Sequence, residues 1–100
     1  MYIMIQSFKN KATEDIFNGK ITKAAMKACP KNLWRIATRK LDQLDSVLSL
    51  VELRIPPGNR LKSLTDDRKG QYSIRINNQY RICFEWTESG PARVEITDYH

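Results

Sequence analysis

Apolar residues recur along this chain in two rhythms, and the change between them falls at one place. Across residues 31–47, Leu33, Ala37, Leu41, Leu44 and, just beyond, Leu48 recur every three or four positions. That spacing marks one face of an α-helix. Arg35, Arg39, Asp42 and Asp45 fall on its other faces, so the helix has a single apolar stripe that a sheet or another helix must cover. Pro30 suits the first turn of such a helix. Trp34 lies off the stripe beside Ile36, where it fits either a corner of the core or a partner contact.

Pro56-Pro57-Gly58 stops the helical rhythm. After it the pattern alternates. Residues 60–64 read as a short strand and 65–70 as a turn. In a strand over 71–76, Tyr72, Ile74 and Ile76 share one face while Ser73 and Arg75 share the other. Asn77-Asn78 marks a hairpin turn. In the next strand, over 79–86, Tyr80, Ile82, Phe84 and Trp86 face one way and Arg81, Cys83 and Glu85 the other. After a turn at 87–91, Val94 and Ile96 set the inward phase of a last strand. The pattern predicts an antiparallel meander with one apolar face for the helices and one polar face left open.

Upstream, residues 2–8 read as a short strand. Asn10 suits the N-cap of a helix over 11–18, with Glu14 and Asp15 near its positive end, Ile16 and Phe17 turned inward and Gly19 at its exit. Residues 20–29 fit either a short helix opened by Thr22 or a loop. The class is α+β in one domain, residues 1–100, since neither half is long enough to bury a core alone.

Composition narrows the function classes. An apolar content of 41% is ordinary for a globular protein and too high for a disordered one. No apolar run approaches a membrane span, and the start lacks the basic residues of a signal peptide, so a cytoplasmic location with no membrane partner is expected. Cys29 and Cys83 read as reduced thiols packed like small apolar groups; with one histidine they make no zinc site.

Charge changes the picture more. Seventeen basic and eleven acidic residues give a formal net charge of +6. The excess peaks over 54–81, where Arg54, Arg60, Lys62, Arg68, Lys69, Arg75 and Arg81 stand against Asp66 and Asp67. Such a field fits a polyanion, nucleic acid foremost, or equally a solvated basic face.

Strand phase puts Arg75 and Arg81 on opposite sides of one hairpin and away from the helices, with Lys62 and Arg68 flanking. Two guanidiniums near one phosphate can neutralise the extra charge of a pentacoordinate phosphorane. The sequence ends on Asp98-Tyr99-His100. Asp98 and His100 share the inward phase and Tyr99 points the other way. An imidazole is the usual general acid or base, and a carboxylate nearby would fix its tautomer. No Gly-rich phosphate loop, Ser-His-Asp order or metal cluster competes. Catalysis here would need no metal and no cofactor, since RNA supplies its own 2′-hydroxyl nucleophile.

Four segments, Met4-Ile-Gln-Ser-Phe, Asp67-Arg-Lys-Gly-Gln-Tyr-Ser-Ile, Gln79-Tyr-Arg-Ile-Cys-Phe and Asp98-Tyr-His, resemble in order the HigB branch of the RelE/ParE toxin superfamily. The segment Pro56-Pro-Gly-Asn-Arg-Leu resembles a subgroup that includes the GraT-type toxins. The resemblance implies a RelE-like microbial RNase fold: an antiparallel or mixed sheet with an N-terminal strand, and helices packed on one face. It implies a ribosome-dependent mRNA endonuclease that cuts A-site codons, leaving a 2′,3′-cyclic phosphate and a 5′-hydroxyl. The implied partners are the ribosome with its mRNA, a HigA-like helix-turn-helix antitoxin and, mainly through the antitoxin, operator DNA.

By resemblance, Arg81 is the arginine shared across RelE-like toxins, Arg68 belongs to the shared Asp-Arg-x-Gly turn, and Arg75 stands where some relatives have lysine. His100 becomes the general acid or base, Asp98 its orienter or a proton acceptor, and Tyr99 a base-stacking or hydrogen-bonding group. Arg60, Lys62, Lys69 and Arg75 are the candidate RNA-binding cations. Other members carry a functional His-Pro-Leu-Lys before the Asp-Arg turn. Here the aligned residues are Lys62-Ser63-Leu64-Thr65, so a weaker toxin is expected. A ParE-like gyrase inhibitor and a non-catalytic ribosome- or RNA-binding module are the alternatives on the same fold.

Overall fold

A computed structural model describes residues 4–99 of the chain. Three helices, α1 (Lys11–Phe17), α2 (Lys23–Ala28) and α3 (Trp34–Leu44), precede four strands, β1 (Lys62–Ser63), β2 (Gln71–Arg75), β3 (Tyr80–Thr87) and β4 (Gly90–Asp98). The strands form one sheet in the order β1-β2-β3-β4, each pair antiparallel. The alternation seen in the sequence sets the two faces. Ile74, Ile76, Ile82, Phe84, Val94 and Ile96 are buried in one core cluster with Ile16, Ala25, Ala37, Leu41 and Leu44 of the helices.

The starts of α1 and α2 rest on side-chain caps that satisfy otherwise orphaned N–H groups. Asn10 Oδ1 accepts from Thr13 N at 2.9 Å, and Thr22 Oγ1 accepts from Ala25 N at 3.1 Å. The second cap resolves residues 20–29 in favour of a helix. Trp34 takes the core position: it packs against the core cluster, and its Nε1 donates to the Cys29 carbonyl at 2.9 Å.

α3 is shorter than the periodicity predicts. A 3-10 turn at Lys31–Leu33 precedes it, and it stops at Leu44. The Asp45 carboxylate accepts the Ile5 N–H at 2.9 Å, and the Ser46 hydroxyl turns back on the Asp42 carbonyl at 3.0 Å. Such side chains compete with helical hydrogen bonding. Consequently Leu48, though in phase, is 55% exposed, and Val47 enters the core instead.

The N-terminal strand expected over 2–8 also differs. Residues 2 and 3 lie outside the described residues. Phe8 makes an isolated parallel bridge to Val94, while Gln6 N donates to the Pro91 carbonyl at 2.7 Å and Lys9 N to the Val94 carbonyl at 2.9 Å. The segment therefore lies alongside β4 without becoming a regular strand. A bulge in β4 explains it: Cys83 faces Glu95 but Glu85 faces Ala92, leaving one extra residue, and Arg93 adopts φ +50°. The Arg93 N–H is freed from the ladder and donates to Ser7 Oγ at 2.9 Å, while the Val94 N–H donates to the Ser7 carbonyl at 3.1 Å.

Among the described residues no helix is long and apolar enough to cross a membrane.

Candidate functional site

The site grows out of the β2–β3 hairpin. Asn77 Oδ1 accepts from Gln79 N at 2.9 Å and Tyr80 N at 2.8 Å, an Asx-type closure that locks the turn. The resulting register sets Arg75 directly opposite Arg81. Like charges paired across strands destabilise a sheet, so this pair runs against folding and calls for an anionic partner. Lys62 of β1 lies opposite Ser73, and cross-strand partners share a face, so Lys62 joins the same side.

Tyr99 completes the group. β4 pairs Thr97 with Arg81 and Asp98 with Tyr80. Tyr99 thus returns to the arginine face two residues after Thr97, and its ring centroid lies 5.9 Å from Arg81 Cζ. That is cation–π range. The ring is 42% exposed, leaving surface on which a base can stack. Arg60, Lys62, Arg75, Asn77, Asn78, Arg81 and Tyr99 line an open cleft of about 420 Å³. Its described lining holds four cations and no carboxylate. Larger hollows of about 520 Å³ along residues 5–11 and about 500 Å³ beside Leu50 and Tyr72 lack that concentration of charge.

Arg81 is tied down by neutral oxygens. Its Nε donates to Ser73 Oγ at 2.7 Å, and its Nη2 to the Arg60 carbonyl at 2.7 Å and more weakly to the Ser73 carbonyl at 3.4 Å. Burial lowers its pKa most; Tyr99 and Cys83 pull the other way, and Arg75 and Arg60 add to the lowering. A guanidinium stays charged regardless. Arg75 donates from Nη2 to Asn78 Oδ1.

Arg60 reaches the cleft through a device that the sequence does not advertise. Asn59 is fully buried. Its Nδ2 donates to Gln43 Oε1 at 2.9 Å and to the Leu53 carbonyl at 3.1 Å, and its Oδ1 accepts from Lys40 Nζ. It pins the 3-10 turn Pro57–Asn59 to α3, and Arg60 leaves that turn in the left-handed region at φ +46°. Ser73 was equally unmarked: a fully buried hydroxyl on the cationic face, whose only sequence signal is the outward phase it shares with Arg75.

The other sequence candidates lie elsewhere. Arg68 shares the sheet face, but its Nη2 donates to Glu95 Oε1 at 2.9 Å and its Nη1 to Gln71 Oε1 at 3.1 Å. Glu95 in turn takes Lys9 Nζ at 3.2 Å and Thr97 Oγ1 at 2.8 Å. Burial pushes the Glu95 carboxyl up, but these bonds, Arg68 first, outweigh it and hold it below the usual glutamate range. Arg68 is therefore committed to a brace between the turn and β4. Lys69 is exposed at the exit of a 3-10 turn over Asp66–Arg68 and does not line the cleft. Thr65 is exposed too, at that turn's entry. Asp98 follows the opposite phase from Tyr99, and Gln79 Nε2 donates to its Oδ2 at 3.1 Å. His100 lies outside the described residues. Among the described residues, no three His, Cys, Asp or Glu side chains converge so as to hold a metal ion.

Four cations, an exposed ring and no competing carboxylate suit a phosphodiester with an attached base. Known proteins supply a family. The family model for HigB-like toxin, the RelE-like toxin of type II toxin–antitoxin system HigB, matches residues 6–100. Toxin HigB-1 of Vibrio cholerae serotype O1 is 42% identical over 71 residues, covering 71% of this chain and 74% of the relative. An uncharacterized protein of Haemophilus influenzae is 39% identical over 57 residues, covering 57% of this chain and 56% of that one.

Proposed function

The chain belongs to the HigB-like family of RelE-like toxins from type II toxin–antitoxin systems, and from that premise we propose that it is a ribosome-dependent mRNA endonuclease. In this reading the mRNA in the ribosomal A site lays its scissile phosphate in the Arg60–Lys62–Arg75–Arg81 cleft. The 2′-hydroxyl attacks the adjacent phosphorus, the bond to the 5′-oxygen breaks, and a 2′,3′-cyclic phosphate and a 5′-hydroxyl result. The observation that carries the reading is the cross-strand Arg75–Arg81 pair, a like-charge contact with no carboxylate among the described cleft residues. Negative charge grows on the phosphate in the transition state, so preorganised cations act there more strongly than on the ground state.

Within that scheme Arg81 is the main stabiliser, and Tyr99 stacks on a base beside the cut. His100 is the general acid or base, with Asp98 as its orienter. Arg60, Lys62 and Arg75 hold flanking phosphates. Lys69 contributes long-range attraction only, and Arg68 supports the sheet face through Glu95. The protein acts in the cytoplasm, and its antitoxin is a HigA-like helix-turn-helix protein that carries the operator contacts.

Lys62 stands in the cleft where other members have histidine, and Thr65, in the lysine's place, lies outside it. General acid–base catalysis contributes roughly 10²–10⁴-fold. We expect single-turnover cleavage on programmed ribosomes at least about 10-fold slower than that of a relative with both residues; equal rates would defeat the expectation.

Lys62 and Thr65 in place of the histidine and lysine also favour a second reading, a ribosome or RNA binder that does not cut. Mapping transcript 5′ ends after brief expression decides. In-frame cuts support the endonuclease. Retained ribosome binding without cuts supports the binder, and supercoiling-linked DNA damage without cuts would instead indicate a gyrase inhibitor.

A further inference from the structure

We propose that Ser73 is a positioning residue for Arg81: with the Arg60 carbonyl it fixes the guanidinium so that Nη1 is the nitrogen offered to the phosphate. The inference rests on the reading of the cleft as a phosphate site.

Ser73 is fully buried, so its hydroxyl is out of reach of a ligand in the cleft. It lies in β2 with Lys62 as its partner on one side and Cys83 on the other, at the floor of the cationic face. Its Oγ accepts the Arg81 Nε–H at 2.7 Å. The Arg60 carbonyl takes Nη2 at 2.7 Å, and the Ser73 carbonyl takes it again at 3.4 Å. Nη1 alone has no hydrogen-bond partner among the described residues. The described cleft lining offers Nη1 no carboxylate.

Two features make this a clamp. An arginine side chain has several free torsions, and holding it in one geometry costs entropy that a ligand would otherwise bear on binding. Here the fold bears it. The second acceptor is set by Arg60 at φ +46°, a conformation residues with a Cβ rarely adopt, beneath which Asn59 is locked to α3. Such strain persists only where the surroundings impose it. Both acceptors are neutral, so they orient the guanidinium and leave its full charge for the phosphate.

Ser73→Ala removes the Nε acceptor without touching the cleft surface. The expected result is a single-turnover cleavage rate down about 10-fold, with ribosome affinity little changed; Ser73→Thr, which keeps a hydroxyl, retains most of the rate. In an Arg81→Ala background the Ser73→Ala change has no further effect on the residual rate. An equal loss in both backgrounds, or no loss in the wild-type background, overturns the proposal. A second readout stands apart from activity: the Arg81 Nε–Hε resonance in ¹⁵N NMR. Its hydrogen exchange quickens severalfold in Ser73→Ala if the clamp exists, and unchanged exchange overturns it. Should the wild type cut no RNA, the proposed function falls, while the exchange measurement still decides whether Ser73 positions Arg81.

Discussion

Arg68 and Arg81 sit on one sheet face and meet different fates. Arg68 finds a carboxylate 27 residues away, and its charge is spent inside the fold. Among the described residues Arg81 finds neutral oxygens, and its charge remains for a ligand. No local pattern separates them; the difference lies in whether β4 delivers Glu95 or Thr97 opposite. Glu95 itself gives a testable sign. Its folded pKa lies below the ordinary 4.5, so its ion pairs add stability above that value and lose it as pH falls through the lower folded value. Glu95→Gln should cost about 1–3 kcal/mol at pH 7. Chemical unfolding of both proteins from pH 7 to pH 3 should show the gap closing toward acid; a gap that stays constant would show that Glu95 is not held ionised by Arg68 and Lys9.

At the scale of elements, the parts governed by local periodicity were legible and those governed by distant partners were not. The alternation at Tyr72, Ile74, Ile82 and Phe84 fixed which face of the hairpin is buried, and so placed Arg75 and Arg81 correctly. The cap at Asn10 was legible for the same reason, while the cap at Thr22 was one of two readings the sequence left open. The end of α3 was not, because Leu48 keeps the helical period while Asp45 is drawn to a backbone N–H 40 residues earlier. The bulge at Arg93 left no mark in a run that alternates on either side of it. Nor did Asn59, which reads as one more polar residue after Pro-Pro-Gly yet carries the joint between α3 and the cleft. Asn59→Ala removes that joint and leaves buried carbonyls and Lys40 without a partner. A loss of about 2–3 kcal/mol is expected from urea unfolding, and a loss below about 0.5 kcal/mol would show that the turn holds Arg60 without it.

For the whole molecule, the two faces of the sheet divide the work. The helices cover the apolar face around Phe84 and Leu41, leaving the other face free to gather cations from β1, β2, β3 and the turn before them. A chain with a net charge of +6 that gathers four cations in this cleft suits a polyanionic target. Family membership adds the antitoxin as partner, and the cleft adds a chemical reason for a phosphodiester substrate. The central claim is that Arg81 stabilises a transferring phosphate, and single-turnover cleavage of an mRNA on programmed ribosomes tests it most directly. The wild type should cut the A-site codon to a 2′,3′-cyclic phosphate and a 5′-hydroxyl, and Arg81→Ala should do so about 10²–10³-fold more slowly at saturating toxin. Cleavage at the same rate by both proteins, or by neither, would contradict the account.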